Sequence, residues 1–116
     1  MIESSAISRY QRVSAKKINR ILELIRGKPV PEALNTLTFL RKQRTKIFVL
    51  KTLKSAVANA IYKSGKARLK EEDLYVKEAT CDHGPSLKRF RAGPRGMPLF
   101  YKHRTSHIKI KVQTKE

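Results

Sequence analysis

Between Asp82 and Glu116 the chain carries no acidic residue, and the stretch from Gly84 to His107, GPSLKRFRAGPRGMPLFYKHRTSH, is rich in cations. Lys88, Arg89, Arg91, Arg95, Lys102 and Arg104 are spread through it among Leu87, Phe90, Phe100 and Tyr101. Unpaired charge of one sign is costly to bury, so this segment cannot be core. Its middle, Ala92-Gly93-Pro94-Arg95-Gly96-Met97-Pro98, is turn chemistry: glycine admits positive φ, proline fixes φ and removes a donor, and the chain is expected to reverse here. About ten residues per leg at 3.3 Å each reach roughly 33 Å. A compact chain of this length has a radius of gyration of only roughly 13 Å. An arm paired as a hairpin must therefore stand outside the body. By itself the segment has the composition of a disordered basic loop; against RNA its cations would meet phosphates and its aromatics would stack on unpaired bases.

The whole chain has 116 residues, room for a single domain, divided into a body of residues 1–83 and 108–116 and an arm of residues 84–107. It holds 27 lysines and arginines against 9 acids, a net +18, and residues 83–115 contain none of those acids. A compact state with that self-repulsion calls for a polyanionic partner. Cys81 is the single cysteine, so neither an internal disulfide nor a cysteine-based zinc cage can form, in keeping with a reducing compartment. It reads as a small, half-buried side chain. The N-terminal MIESSAISRY has no hydrophobic signal core and apolar runs are short, so neither export nor a membrane span is expected.

Ser4 to Val13 suits an edge strand. Ser14 then stands as an N-cap before Ile18, Ile21, Leu22 and Ile25, which recur at helical spacing up to Gly27, predicting a helix from Ala15 to Arg26. Pro31 suits the first turn of a second, shorter helix, with Glu32 at its positive end and Ala33, Leu34 and Leu37 facing inward. Gly27-Lys28-Pro29 makes the corner between the two. A third helix from Lys42 to Ser64, closed by Gly65, is the expected spine, with Ile47, Leu50, Leu53, Val57 and Ile61 as its apolar face. The small residues of Ser55-Ala56-Val57-Ala58-Asn59-Ala60 would let another backbone come close. Leu74-Tyr75-Val76 starts a strand that runs through Cys81 into the arm. Beyond the arm Ile108, Ile110 and Val112 alternate with Lys109, Lys111 and Gln113. The two flanking strands are expected to pair antiparallel, with the arm continuing their ladder and a free lysine face opposite the helices.

Nothing here assembles a catalyst. His103 and His107 have an i, i+4 spacing, but in strand context four residues span roughly 13 Å, too far to share one metal ion. Asp82, His83 and Ser86 include triad residue types without a nucleophile turn. Glu71-Glu72-Asp73 is a run of adjacent acids in a lysine-rich linker, which reads as a solvated turn. Gly84, Gly93 and Gly96 do not open a helix and make no phosphate loop. No cofactor and no enzymatic activity are expected.

Taken in order, Ser14-Ala15-Lys16-Lys17, Leu24-Ile25-Arg26-Gly27, Glu32-Ala33-Leu34, Ser55-Ala56-Val57-Ala58-Asn59-Ala60, Leu74-Tyr75-Val76, Gly84-Pro85-Ser86-Leu87-Lys88-Arg89-Phe90 and Arg104-Thr105-Ser106-His107-Ile108 carry a resemblance. Nearly end to end, the chain resembles the large-subunit ribosomal proteins of the L twenty-two family. That resemblance implies an α+β fold: three helices packed on a small three-stranded antiparallel sheet, from which a long β-hairpin protrudes. It also implies a structural constituent of the large ribosomal subunit that binds large-subunit rRNA and supports assembly. The hairpin tip would help line the nascent-peptide exit tunnel. Implied partners are rRNA, neighbouring large-subunit proteins and the nascent polypeptide, with no membrane and no self-oligomer, in a cytoplasmic or organellar ribosome. The family's tip commonly reads like Pro-Arg-Ala-Arg-Gly-Arg-Ala. Here Gly93, Met97, Phe100 and His103 stand where basic residues are usual. A divergent bacterial ribosome or an organellar one would each account for this.

The residues expected to contact rRNA are Arg9, Arg12, Lys16, Lys17, Arg20, Lys88, Arg89, Arg91, Arg95, Lys102, Arg104 and His107; those expected at the tunnel-facing tip are Arg91, Gly93, Pro94, Arg95, Gly96 and Met97. Composition alone would equally support a general DNA-compacting protein. Architecture separates the two, because a general binder has no need of a hairpin longer than its own body.

Overall fold

The strictest alternation in the sequence, Ile108 to Val112, becomes the middle of the sheet. The computed structural model describes residues 3–41, 43–64 and 70–114. In chain order these form β1 (Glu3–Gln11), α1 (Ala15–Ile25), α2 (Val30–Thr38), α3 (Gln43–Ser64), β2 (Leu74–His83), β3 (Leu87–Ala92), β4 (Pro98–His103) and β5 (Ser106–Thr114). The larger sheet is antiparallel with order β1-β5-β2, and β3 and β4 make a separate two-stranded sheet. Ile108, Ile110 and Val112 are fully buried on one face of β5 because both of its neighbours are in place and the helices cover that side. On β2 the buried residues are Leu74, Val76, Ala79 and Cys81, and the odd step falls where a bulge shifts the register between Val76 and Glu78. One extra residue is absorbed there, and the apolar set stays on the core face.

Ile18, Ile21, Leu22 and Ile25 seat α1 against β2, as their spacing predicts. Ser14 occupies the N-cap position in extended conformation, but its side chain makes no capping hydrogen bond, and the helix closes at Ile25 rather than Arg26. Gly27, with φ of +74°, turns the chain out of the helix. Its N–H donates to the Val76 carbonyl (2.9 Å), and the Val76 N–H donates back to the Lys28 carbonyl (2.9 Å). Arg26 Nε donates to the Ala79 carbonyl at 2.8 Å. The helical corner thereby covers the outer edge of β2, which would otherwise offer unpaired backbone. In α2, Val30, Ala33 and Leu37 are buried and Leu34 packs beside them.

The phase of α3 differs from expectation. Its buried residues are Val49, Thr52, Leu53, Ala56, Val57 and Ala60, while Ile47 and Ile61 are 43% and 40% exposed and Leu50 is half-buried. The reason is the close approach of β1, which puts small side chains rather than large ones at the contact. Ser8 and Thr52 share a hydroxyl hydrogen bond of 2.6 Å, and Asn59 Nδ2 donates to the Ser5 carbonyl at 3.0 Å. Lys42 and Gly65, the expected first residue and stop of this helix, lie outside the described residues. No helix among the described residues is long and apolar enough to cross a membrane.

Two further expectations change. The lysine face of the sheet is not free, since Lys111 pairs with Glu78 (3.7 Å) and Lys77 with Glu3 (3.6 Å). Nor does the arm continue the ladder without a break: pairing stops after His83–Ser106 and resumes at Leu87–His103, with Gly84 N–H to the Thr105 carbonyl (2.9 Å) spanning the gap. The paired legs are 6 residues each. The radius of gyration is 17.4 Å and the extents are 66 × 25 × 16 Å. A compact chain of this length would measure roughly 13 Å, so the arm stands out as its composition demands.

The phase of α3 is open to direct test by urea unfolding. Leu53→Ala, at a fully buried position, should cost about 2–5 kcal/mol. Ile47→Ala should cost less than about 1 kcal/mol, as expected of a flank position. Equal losses would return Ile47 to the core.

Candidate nucleic-acid interface

Where the arm leaves the body, a groove of about 620 Å³ opens between three parts of the chain. Arg12, Val13 and Ser14 come from the link after β1, Lys17 from the first turn of α1, Arg44, Thr45, Ile47 and Phe48 from the start of α3, and Lys102, His103 and Arg104 from the end of β4. Its lining holds five lysines and arginines and no acid. The N-terminal ends of α1 and α3 both meet it, and neither has an acid in its first turn. Helix N-termini carry partial positive charge and unbonded N–H groups. Cations and helix ends of the same sign therefore converge on one concavity, an arrangement that repels itself until an anion fills it.

Local backbone geometry places Arg12 there. The β1–β5 register breaks between Ser8 and Gln11, and Tyr10 takes a φ of 58° within the break. That strain is held by its N–H, which donates to His107 Nδ1 (3.1 Å), and by an edge-on contact between the two rings at 4.9 Å. His107 thus uses one ring nitrogen internally. On the other wall Gly84 is required by space: a Cβ there would come within 2.6 Å of Thr105 Oγ1, and that hydroxyl donates to the Pro85 carbonyl. The root of the arm is fixed in this way, and with it Lys102 to Arg104.

Along the arm, register sorts the side chains into two faces. Lys88–Lys102, Phe90–Phe100 and Ala92–Pro98 lie opposite one another on one face; Leu87–His103, Arg89–Tyr101 and Arg91–Leu99 on the other. Arg91 sits over the Tyr101 ring at 4.8 Å, and Tyr101 meets His103 edge-on at 5.2 Å. The tip is a single 3₁₀ turn, Pro94–Gly96, closed by Gly93 N–H to the Met97 carbonyl (2.9 Å), with Arg95 and Gly96 at φ of 58° and 71°.

Of the cations predicted from the sequence, Arg12, Lys17, Lys102 and Arg104 meet in the groove. Arg9, Lys16 and Arg20 are exposed on β1 and α1 but outside its lining, and Lys88, Arg89, Arg91 and Arg95 are exposed along the arm. Sequence reasoning missed Arg44 and Phe48. A signal existed: Arg44 stands in the first turn of a helix, where an acid is favoured.

The model of the ribosomal protein L22p/L17e family matches residues 6–113. The chain is 45% identical to the large ribosomal subunit protein uL22 of Bifidobacterium longum (strain DJO10A), over 99% of this chain and 98% of the relative. It is 45% identical to uL22 of Thermoanaerobacter sp. (strain X514), over 99% of this chain and 100% of the relative. Against uL22 of Thermus thermophilus the identity is 44%, over 94% and 93%.

The remaining reactive groups are dispersed. Among the described residues no three His, Cys, Asp or Glu side chains gather to hold a metal. Glu71–Asp73 is a 3₁₀ turn in which Asp73 Oδ2 accepts the Lys70 N–H at 3.2 Å. Asp82 and His83 are exposed on β2. Cys81 is buried in the core opposite Ile108, and burial pushes its thiol above the ordinary value of 9.0. The neutral thiol is the form the core accepts. Its contribution to stability is complete below pH 9.0, the ordinary value, and is lost as pH rises through the elevated folded value. Iodoacetamide at pH 8 should therefore alkylate the native chain at least about tenfold more slowly than the guanidinium-unfolded chain. Equal rates would place Cys81 at the surface.

Proposed function

The chain belongs to the ribosomal protein L22p/L17e family, and on that premise we propose that it binds large-subunit rRNA, supports subunit assembly and helps line the nascent-peptide exit tunnel with its arm tip. It is a structural protein of the large ribosomal subunit, not an enzyme. Its setting is the cytoplasmic ribosome, like that of its bacterial relatives.

The observation that carries the reading is the groove, where Arg12, Lys17 and Arg44 of the body face Lys102 and Arg104 of the arm with no acid between them. Phosphate of an rRNA segment supplies the missing charge. Arg9, Lys16 and Arg20 extend the cationic surface over the body, and Lys88, Arg89, Arg91 and Arg95 extend it outward. A chain 66 Å long reaches RNA segments that a compact chain could not touch together. Bridging such segments is how a non-catalytic protein supports assembly. Neighbouring large-subunit proteins and the nascent polypeptide complete the set of partners.

At the tip, Arg91, Gly93, Pro94, Arg95, Gly96 and Met97 form a narrow end with Met97 70% exposed. A flexible thioether suits a surface that meets many different peptide sequences.

Deleting residues 93–97 should leave subunit assembly nearly normal, because the interactions along the legs and in the groove remain. Ribosome profiling should then show altered pausing on arrest-prone nascent chains. Blocked assembly with unaltered pausing would make the tip an assembly anchor and refute the tunnel role. The full chain should also stay with large subunits through a high-salt sucrose gradient; its release at moderate salt would favour a general nucleic-acid binder, held by phosphate interactions alone.

A further inference from the structure

One face of the arm carries an aromatic pair whose rings the rest of the chain leaves uncovered. Phe90 and Phe100 lie directly opposite each other, 72% and 79% exposed. Among the described residues no ring or cation packs on either of them, whereas Tyr101 on the opposite face is already covered by Arg91. Apolar rings are thus left in water on an arm that adds nothing to the core.

Two residues nearer the root, on the same face, Lys88 and Lys102 form the next opposed pair, and neither has an ion pair among the described residues. A recess of about 340 Å³ is lined by Lys88, Lys102 and Phe100 of this face together with the adjoining Tyr101, and Phe90 stands beside it across from Phe100. Residues two apart along a strand are separated by roughly 7 Å. One nucleotide, from base to phosphate, bridges such a distance.

We propose that this face is a stacking site for unpaired nucleobases of single-stranded RNA: a base enters the recess over Phe100, its neighbour stacks on Phe90, and the intervening phosphate lies between Lys88 and Lys102. The inference rests on the rRNA-binding reading and adds to it a base-dependent component. A phosphate interaction alone is indifferent to whether a base is present. Aromatic stacking requires the base and tolerates any sequence, and because it neutralises no phosphate it adds nothing to the salt slope. The absence of acids from the arm selects a polyanion over a peptide as the occupant.

The test compares oligoadenylate with an abasic ribose–phosphate strand of the same length and charge, each titrated into the full-length protein. Wild type should bind oligoadenylate at least about fivefold more tightly, and the ratio should persist as salt is raised. Phe90→Leu/Phe100→Leu should lose that preference while keeping its affinity for the abasic strand; Phe90→Tyr/Phe100→Tyr should retain the preference. Lys88→Gln/Lys102→Gln should weaken both strands and flatten the salt dependence. Equal binding of the two strands by wild type, or a preference that survives the leucine pair, overturns the stacking site while leaving RNA binding in place. Failure to bind either strand overturns both readings.

Discussion

The structure depends on the pairing of β5 along both edges. Ile108, Ile110 and Val112 are buried because β1 and β2 flank the strand that carries them, and the same pairing anchors the two ends of the arm to adjacent strands of one sheet. Remove either neighbour and the alternation of β5 would expose half its apolar face. The other features follow from this arrangement: α3 lies across β1 and β5, α1 covers β2, and the Gly27–Pro29 corner closes the outer edge of β2 with two main-chain hydrogen bonds. The arm can therefore be rich in charge, since beyond its root it contributes no buried hydrophobic residue to the core.

Charge then decides what the fold is for. Glu3, Glu32 and Glu78 pair with lysines on the body, in exposed pairs worth little individually. No ion pair reaches the arm among the described residues. The positive field is thus trimmed where the chain packs on itself and left whole at the groove and along the arm. Two helix N-termini add to it at the groove. In the free chain these like charges repel; under the proposed function, RNA phosphates would relieve that repulsion, with release of counterions.

Much of this was legible in residues 1–116, and the parts that were not share a cause. The alternation of β5, the stripe of α1 and the turn chemistry of the tip are local patterns, and each became the element it predicts. The face of α3 was misread because counting bulky residues favours Ile47 and Ile61, whereas the approach of β1 selects Ala56 and Ala60. Ser14 looks like a cap by type, yet makes no capping bond in a groove already crowded with donors. Arg44 and Phe48 join Arg12 and Lys102 only through the fold, from positions far apart in sequence. A site assembled across three segments leaves no run of residues to recognise.

The central claim is that body and arm grip RNA through one shared groove. The direct measurement is the slope of log affinity against log salt for binding to large-subunit rRNA fragments, in wild type and in a variant with Arg12, Lys17, Arg44, Lys102 and Arg104 all changed to Gln. Removing one cation–phosphate interaction should reduce the magnitude of the slope by about 0.7 to 0.9. The account predicts a clear flattening from these five substitutions, with the helical circular dichroism of the body retained. An unchanged slope with the fold intact would contradict it and return the groove to ordinary solvated surface.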